Sequence, residues 1–169
     1  MRFAYADPPY LGCGRRYIDQ HENALDCDDP EWHRALIEKL YREFPDGWAM
    51  SLSSPSLRTI LPMCNEDVRI GAWVKPFAAF KPNVNPAYAW EPFLWRGGRK
   101  GDRTRATIRD WVSANITLKR GLVGAKPNEF CQHILDVLGF EKGDEIVDLF
   151  PGTGAFMNAV NRRIEGLLA

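Results

Sequence analysis

Metal-binding and disulfide patterns are missing from this 169-residue chain. No Cys-x-x-Cys pair occurs, which argues against a zinc site or a disulfide scaffold and fits a reducing cytoplasm. The histidines do not have the spacing of metal ligands, so no metal is expected. The residues concerned are Cys13, Cys27, Cys64, Cys131, His21, His33 and His133.

Net charge, long apolar runs and repeats are missing too. The 22 Lys and Arg residues balance the 22 Asp and Glu residues, so the overall charge does not indicate a nucleic-acid partner. Because no signal sequence or membrane-spanning run is present, we expect a cytoplasmic protein without a membrane partner. The length predicts one domain, residues 1–169, and the 45% hydrophobic content is ordinary for a globular protein.

The most informative segment that is present lies almost at the start of the chain. Asp7-Pro8-Pro9-Tyr10 directly follows the apolar run Phe3–Ala6. Two prolines prevent a helix or a central strand from continuing, so the apolar run is predicted to be a strand that ends at Asp7. The turn carries a carboxylate, two proline carbonyls and an aromatic ring, which together can bind an amino group and stack on a flat ring. The alternative is a strand-ending turn without a function.

A second pattern lies near the end of the chain. Residues 145–150 predict a buried strand, Pro151-Gly152-Thr153-Gly154 follows at once, and Ala155–Arg163 has helical character. A glycine turn between a strand and a helix brings backbone N–H groups and a helix N-terminus close to a ligand. No third glycine follows, so this is not the dinucleotide-binding fingerprint, and a purely structural turn is the alternative.

The segments between these motifs alternate between predicted strands and helices. Such alternation indicates an α/β fold with a mostly parallel sheet and helices on both faces. Ligands bind beyond the carboxyl ends of the strands in such sheets, so Asp7 and Pro151 are expected to share one edge. The predicted strands are Trp48–Leu52, Val68–Val74, Tyr88–Trp95 and Trp111–Thr117, and the predicted helices are Pro30–Phe44 capped by Asp29, Ser54–Met63 and Pro127–Leu138.

Taken together, the motifs resemble the S-adenosylmethionine-dependent amino-group methyltransferases of DNA and RNA. In that family an Asp-Pro-Pro-Tyr turn forms the catalytic site and an Asp-x-Phe-x-Gly-x-Gly stretch binds the cofactor. One circularly permuted branch also has a Lys-Pro helix start before the cofactor strand. Residues 7–10, 126–130 and 148–154 match these motifs in the order of that branch. The resemblance implies a Rossmann-like methyltransferase fold, circularly permuted, in a compact, phage-type enzyme.

The resemblance also implies roles at the catalytic turn. Asp7 and the Pro8 carbonyl would accept hydrogen bonds from the target amino group and stabilise the charge that develops on its nitrogen. Pro9 belongs to the same turn, and Tyr10 would stack on the base. A base inside a duplex cannot reach such a turn, so it must be flipped out or already unpaired.

For S-adenosylmethionine, the resemblance implies a second set of residues. Lys126 and the helix start would hold the cofactor carboxylate, and Asp148 would accept from its ammonium group. The alternatives are a solvated lysine, an acid that caps the glycine turn, and, for Phe150, a core position. The full set is Lys126, Pro127, Asn128, Asp148, Phe150, Gly152, Thr153 and Gly154.

Basic residues are concentrated between Arg96 and Arg109, where the family often carries target recognition. We expect residues 96–121 to form an inserted loop that contacts nucleic acid, with DNA rather than RNA as the expected partner. A second basic loop, at residues 12–17, is either a lid over the base or a solvated surface loop. The predicted phosphate contacts are Arg15, Arg16, Arg99, Lys100, Arg103 and Arg105.

The chain also departs from the family, whose members usually continue into a strand that ends in a ribose-binding acid. No such strand can be read in residues 158–169, so the fold is expected to be truncated, with the cofactor strand near an open edge and a tendency to form a homodimer. An Asp at the first turn position favours adenine N6 in this family. The alternatives are RNA or cytosine N4 methylation, another base-modifying reaction, and a non-catalytic nucleic-acid-binding module.

Overall fold

The computed structural model describes residues 1–19, 22–77, 82–101, 106–117 and 125–166. Within these ranges, six strands form one sheet and four α-helices accompany it. The strands are β1 (Arg2–Ala6), β2 (Gly47–Ser51), β3 (Arg69–Val74), β4 (Trp90–Gly97), β5 (Trp111–Ser113) and β6 (Glu145–Asp148). The helices are α1 (Pro30–Glu43), α2 (Leu57–Ile60), α3 (Asn128–Leu138) and α4 (Ala155–Ile164).

The sheet has the strand order β5-β3-β4-β2-β1-β6. Strand β1 is parallel to β2 and β6, and β3 is parallel to β5, whereas β4 is antiparallel to both of its neighbours. The sheet is therefore mostly parallel, as the sequence predicts. The carboxyl ends of the parallel strands and the amino end of β4 meet at one edge, which we call the upper edge.

Helices cover both faces of the sheet and create two hydrophobic cores. On one face, Phe130 of α3 and Phe156 of α4 pack on Tyr5, whose ring stacks on that of Phe156 at 4.2 Å. On the other face, Leu36 and Leu40 of α1 belong to a core with Ala4 and the side chains of β2. The two-faced α/β arrangement predicted from the sequence is confirmed.

Local signals set the ends of two helices. The Asp29 side chain accepts a hydrogen bond from the Glu31 N–H at 2.9 Å, so Asp29 caps α1 as predicted. Gly139 ends α3 in the left-handed conformation, with φ of 64°. Helix α3 begins at the upper edge of the sheet and ends at the opposite edge.

Strand β3 exists as predicted, and its buried face carries Trp73 rather than the aliphatic side chain of Ile70. Ile70 is 42% exposed, whereas Trp73 is buried against Phe130 of α3. The single large aromatic ring determines which face turns inward, because it buries more apolar surface than the smaller aliphatic residues.

The predicted basic loop of residues 96–121 is divided between several elements. Arg96 and Gly97 complete β4, and Trp111–Ser113 forms β5. Residues 102–105 and 118–121 of this segment lie outside the described residues. Strand β6 is the last strand of the sheet order, as expected, and homodimer formation stays a prediction.

Gly71 provides a test of this packing. A Cβ atom at this position would overlap the ring of the fully buried Phe93 on β4. We expect Gly71→Ala to lower the free energy of unfolding by about 2 kcal/mol or more, because the ring has no room to move. Gly101→Ala is the matched control, since no atom of the described residues lies within 4 Å of its added Cβ and its backbone is not left-handed. Equal stability of the two variants in urea unfolding would contradict the described β3–β4 packing.

Candidate active site

The Asp7-Pro8-Pro9-Tyr10 turn begins directly after β1 at the upper edge. Pro8 and Pro9 are buried, whereas Asp7 and Tyr10 are partly exposed. The Tyr10 carbonyl accepts a hydrogen bond from the Cys13 N–H at 2.7 Å, which fixes the path of the chain after the turn. A rigid, buried proline pair thus holds one carboxylate and one aromatic ring at the surface of a cleft.

Lys126 reaches this turn from the start of α3. Its ammonium Nζ donates to both carboxylate oxygens of Asp7, at 2.7 and 2.8 Å, and to the Tyr10 hydroxyl at 3.0 Å. Only 7% of the Lys126 side chain is exposed. The ammonium of Lys126 thus contacts the Asp7-Pro8-Pro9-Tyr10 turn, and the predicted role of Lys126 in holding the cofactor carboxylate stays a prediction.

Glu91, at the amino end of β4, is the second acid beside Lys126. The Tyr10 hydroxyl donates to Glu91 Oε2 at 2.8 Å, and Lys126 Nζ lies 4.0 Å from the same oxygen. The other carboxylate oxygen, Oε1, accepts from the ammonium of Lys75, which directly follows β3. Asp7, Tyr10, Lys75, Glu91 and Lys126 therefore form one connected set, called here the charge network.

Burial and pairing act against each other on the ionisable groups of the charge network. Burial raises the pKa of Asp7, and the ammonium of Lys126 opposes this shift. Burial disfavours the Lys126 ammonium as well, but the carboxylates of Asp7 and Glu91 outweigh it and raise the pKa of Lys126. Lys126 is therefore protonated at neutral pH, and its ammonium favours the ionised form of Asp7.

The predicted cofactor turn lies at the same edge, after β6. Asp148 ends the strand, and its carboxylate accepts from the Phe150 N–H at 3.2 Å. Gly152 and Gly154 have left-handed backbones, with φ of 44° and 73°, and Gly154 is the N-cap of α4. The turn needs glycine at these two positions because other residues are strained in this conformation.

Asp148 makes no ion pair within the described residues. Its burial, together with the nearby Asp7 carboxylate, raises the pKa of Asp148 to about 6. A partly buried carboxylate with no cationic partner would be stabilised by a cationic ligand bound beside it.

Two clefts open at the upper edge and meet at Tyr10 of the Asp7-Pro8-Pro9-Tyr10 turn. The first, about 600 Å³, is lined by Asp7, Pro8, Asp148 and the glycine turn, among other residues, and is called here the turn cleft. The second, about 560 Å³, has aromatic walls and is called the aromatic cleft. Both volumes lie in the range of small-molecule sites. The aromatic walls are formed by Tyr10, Tyr17, Trp73, Tyr88 and Trp90, and both clefts contact Tyr10, Tyr17 and Lys126.

The remaining predicted cofactor residues lie around the turn cleft. Phe150 and Thr153 line it, whereas Pro127 is buried at the start of α3. Asn128 and Thr153 line a smaller adjoining pocket of about 210 Å³, which also includes Arg162 of α4. The structure therefore brings the two predicted motifs of the cofactor set to the same edge of the sheet.

The predicted phosphate contacts that lie within the described residues fall at two separate places. Arg16 lines the aromatic cleft, and Arg15 beside it is exposed. Arg99 lies at the opposite edge, where it donates to both carboxylate oxygens of Asp144 at 2.8 Å. With its bond to the Gly139 carbonyl, this pairing links the end of α3 to the segment before β6, and the phosphate contact of Arg99 stays a prediction. Lys100 is exposed beside Arg99, and Arg103 and Arg105 lie outside the described residues.

Sequence reasoning missed two charged members of the site, Lys75 and Glu91. Both lie next to strand ends at the upper edge, but nothing in the sequence indicates that β4 is antiparallel and brings Glu91 there. Glu22 and Asn23 of the N-terminal loop also line the turn cleft and were not predicted. A loop contact of this kind has no periodic sequence signal.

Two further findings bear on the site. The described residues contain no group of three or more His, Cys, Asp or Glu side chains placed to hold a metal ion. Within the same part of the chain, none of the helices combines the length and apolar character that a membrane crossing requires.

No protein-family model and no curated protein matches the chain. Among solved structures, the complex of M1.HpyAVI with SAM is similar at 17% identity and a TM-score of 0.60, over 95% of this chain and 78% of that one. TTHA0409 from Thermus thermophilus, provisionally described as a DNA modification methylase and solved with S-adenosyl-L-methionine, is similar at 19% identity and a TM-score of 0.55. This second match covers 95% of this chain and 77% of that one. At these identities, the likeness establishes the fold that the chain shares with these proteins.

Proposed function

We propose that the protein transfers a methyl group from S-adenosylmethionine to an exocyclic amino group of a nucleic-acid base, namely N6 of adenine in DNA. The observation that carries this proposal is that the turn cleft and the aromatic cleft meet at Tyr10, the last residue of the turn, and at Lys126, whose ammonium contacts Asp7. A methyl donor in one cleft and a base in the other would both contact this turn. Methyl transfer requires such a close and fixed approach of two ligands.

The turn cleft fits S-adenosylmethionine. The Asp148 carboxylate would accept from the amino-acid ammonium, which supplies the cationic partner that this partly buried acid lacks among the described residues. Phe150 and Phe156 provide apolar walls, and the glycine turn leaves the backbone accessible. The structures of M1.HpyAVI and TTHA0409 with this molecule support the choice of cofactor.

The aromatic cleft fits an unpaired base. Aromatic side chains can stack on any base, whatever the nucleotide sequence, and Tyr10, Tyr88 and Trp90 line this cleft. A base inside a duplex cannot enter it, so the target is flipped out or single-stranded. Adenine is proposed because Asp stands first in the catalytic turn, and DNA because TTHA0409 carries that provisional description.

In the proposed reaction, the Asp7 carboxylate and the Pro8 carbonyl accept hydrogen bonds from the target amino group. When bound, S-adenosylmethionine supplies a methyl group on a positively charged sulfur, and the electrons of the broken C–S bond stay on that sulfur. The amino nitrogen uses its lone pair to form the new C–N bond and becomes positively charged. Asp7 stabilises this charge, and its carboxylate can accept the proton that the nitrogen then releases.

Phosphate contact at the mouth of the aromatic cleft gives one test of nucleic-acid binding. We expect Arg16→Gln to weaken oligonucleotide binding and to reduce the log–log salt slope by about 0.7 to 0.9, because one phosphate contact is lost. Arg42→Gln is the matched control, since this exposed arginine lies in the last turn of α1, away from the clefts. An unchanged slope for Arg16→Gln across a salt series would place the nucleic acid elsewhere.

The proposed function is tested by incubating the protein with S-adenosylmethionine that carries a labelled methyl group and with DNA, RNA or a protein mixture. We expect label in DNA. Label in RNA alone would change the substrate, and label in no polymer would contradict the proposal.

A further inference from the structure

Lys126 contacts the carboxylate that the proposed reaction requires. Both carboxylate oxygens of Asp7 accept from its ammonium, at 2.7 and 2.8 Å. Each oxygen keeps a second lone pair, so a target amino group that approaches Asp7 shares the carboxylate with Lys126 and is bound more strongly once Lys126 releases an oxygen. The Lys126 side chain is only 7% exposed, so an ammonium that leaves Asp7 is stabilised by a second carboxylate more than by bulk water.

Glu91 offers the alternative partner. Its Oε2 atom lies 4.0 Å from Lys126 Nζ, so a small shift of the ammonium would bring it within hydrogen-bond distance. The Tyr10 hydroxyl, which accepts from Lys126 at 3.0 Å and donates to Glu91 at 2.8 Å, bridges the two positions. Lys75 holds the other oxygen of Glu91, so the receiving carboxylate is fixed.

The charges favour such a shift within the network. Asp7 and Glu91 carry two negative charges, and Lys75 and Lys126 carry two positive charges, in a partly buried space. Movement of the ammonium from one carboxylate to the other leaves this balance unchanged. Asp7 loses its cation at the moment when positive charge develops on the target nitrogen.

We infer that Glu91 is a positioning residue that takes up the Lys126 ammonium when the target amino group enters, and so frees an oxygen of Asp7. The inference rests on the proposed function and adds to it a step at the same site. Glu91 does not contact the reacting atoms in this scheme and acts through Lys126.

Removing the Glu91 charge has a second consequence, because that charge raises the pKa of Asp7. Asp7 must be ionised to accept from the amino group, so the acid limb of the rate profile follows its pKa. Glu91→Gln should therefore move this limb to lower pH. The ionisable groups that face Asp7 are Tyr5, Tyr10, Tyr17, Glu91, Lys126, Cys131 and Asp148.

The test compares single-turnover methyl transfer by wild type and Glu91→Gln over a pH series, with saturating S-adenosylmethionine and an adenine-containing oligonucleotide. We expect a rate about tenfold to a hundredfold lower at neutral pH, an acid limb at lower pH, and cofactor affinity changed only a few-fold. Asp67→Asn is the matched control, because Asp67 also lies between a tyrosine, Tyr41, and a cation, Arg96, but outside both clefts. It should change neither the rate nor the limb.

A second variant separates the effect of the negative charge of Glu91 from the effect of its side-chain length. Glu91→Asp keeps the negative charge but withdraws the carboxylate by one methylene, so the acid limb should stay near that of wild type while the rate falls. This variant also replaces Glu91→Gln if the latter does not fold. A wild-type rate in both variants would overturn this inference and leave the proposed function standing. A lower rate of Glu91→Gln with an unmoved acid limb of the rate profile would do the same. A wild type that methylates no nucleic acid would overturn the proposed function, and the inference with it.

Discussion

Replacing Asp7 by Asn should lower the rate of methyl transfer by about a hundredfold or more while S-adenosylmethionine still binds within a few-fold of wild type. The side chain keeps its shape, but it loses the charge that stabilises the developing positive charge on the target nitrogen. Lys126 also loses its closest carboxylate, at 2.7 Å, and retains Glu91 as its neighbouring acid. Single-turnover rates and calorimetry with the cofactor measure the two effects separately.

Asp136→Asn is a suitable control for this experiment. It removes a carboxylate that pairs with Arg163 at 2.6 Å between α3 and α4, away from the catalytic turn. Its rate should equal that of wild type. Near-normal turnover by Asp7→Asn would show that the turn does not supply the acceptor, and the proposed mechanism would have to be abandoned.

Replacing Asp148 by Asn should weaken S-adenosylmethionine binding about tenfold to a hundredfold at pH 8, because a hydrogen bond between charged partners is lost. The amide oxygen can still accept from the Phe150 N–H, so the local turn is expected to survive. Wild-type affinity in this variant would assign Asp148 the alternative role of a cap on the glycine turn.

The pKa of Asp148 adds a dependence on pH to this prediction. Below about pH 6 the carboxylate becomes protonated, so cofactor affinity of the wild type should fall by up to about tenfold per pH unit. Asp148→Asn should lack this part of the pH dependence. Calorimetric titrations at several pH values compare the two proteins.

The stability of the free protein should depend on pH in the opposite sense to cofactor affinity. The pKa of Asp148 in the folded protein, about 6, lies above its ordinary value of 3.8, so the folded state binds more protons than the unfolded state between these two values. This group therefore makes the free protein less stable as the pH rises through that window. Asp148→Asn should be more stable than wild type at pH 8, and the difference should vanish towards pH 4. A less stable variant at pH 8 would contradict the assignment of an unpaired, buried charge.

Much of the fold follows from local signals in the sequence. The prolines after Asp7 end the strand, so that β1 stops at Ala6, one residue before the predicted end, while Asp29 caps α1 and Gly139 ends α3 as predicted. The alternation of strands and helices then places the catalytic turn and the glycine turn at the same edge. These features depend on residues close together in the chain, so a single sequence is sufficient to predict them.

The charge network could not be predicted in this way. It joins residues separated by more than a hundred positions, such as Asp7 and Lys126, and it requires β4 to be reversed. The same limit applies to Arg99. Its basic segment predicts a phosphate contact, but nothing in the sequence shows that Asp144 pairs with its guanidinium group. Long-range pairing depends on the folded packing of several elements, and composition does not determine it.

The central claim is tested most directly by identifying the atom that receives the methyl group. The protein is incubated with DNA and with S-adenosylmethionine bearing a deuterated methyl group, and the DNA is then digested to nucleosides for mass spectrometry, with Asp7→Asn in parallel. We predict deuterated N6-methyladenosine, in its deoxy form, with wild type and very little with the variant. Deuterium on a carbon or ring-nitrogen atom, or equal amounts with both proteins, would contradict methyl transfer to an amino group held by Asp7.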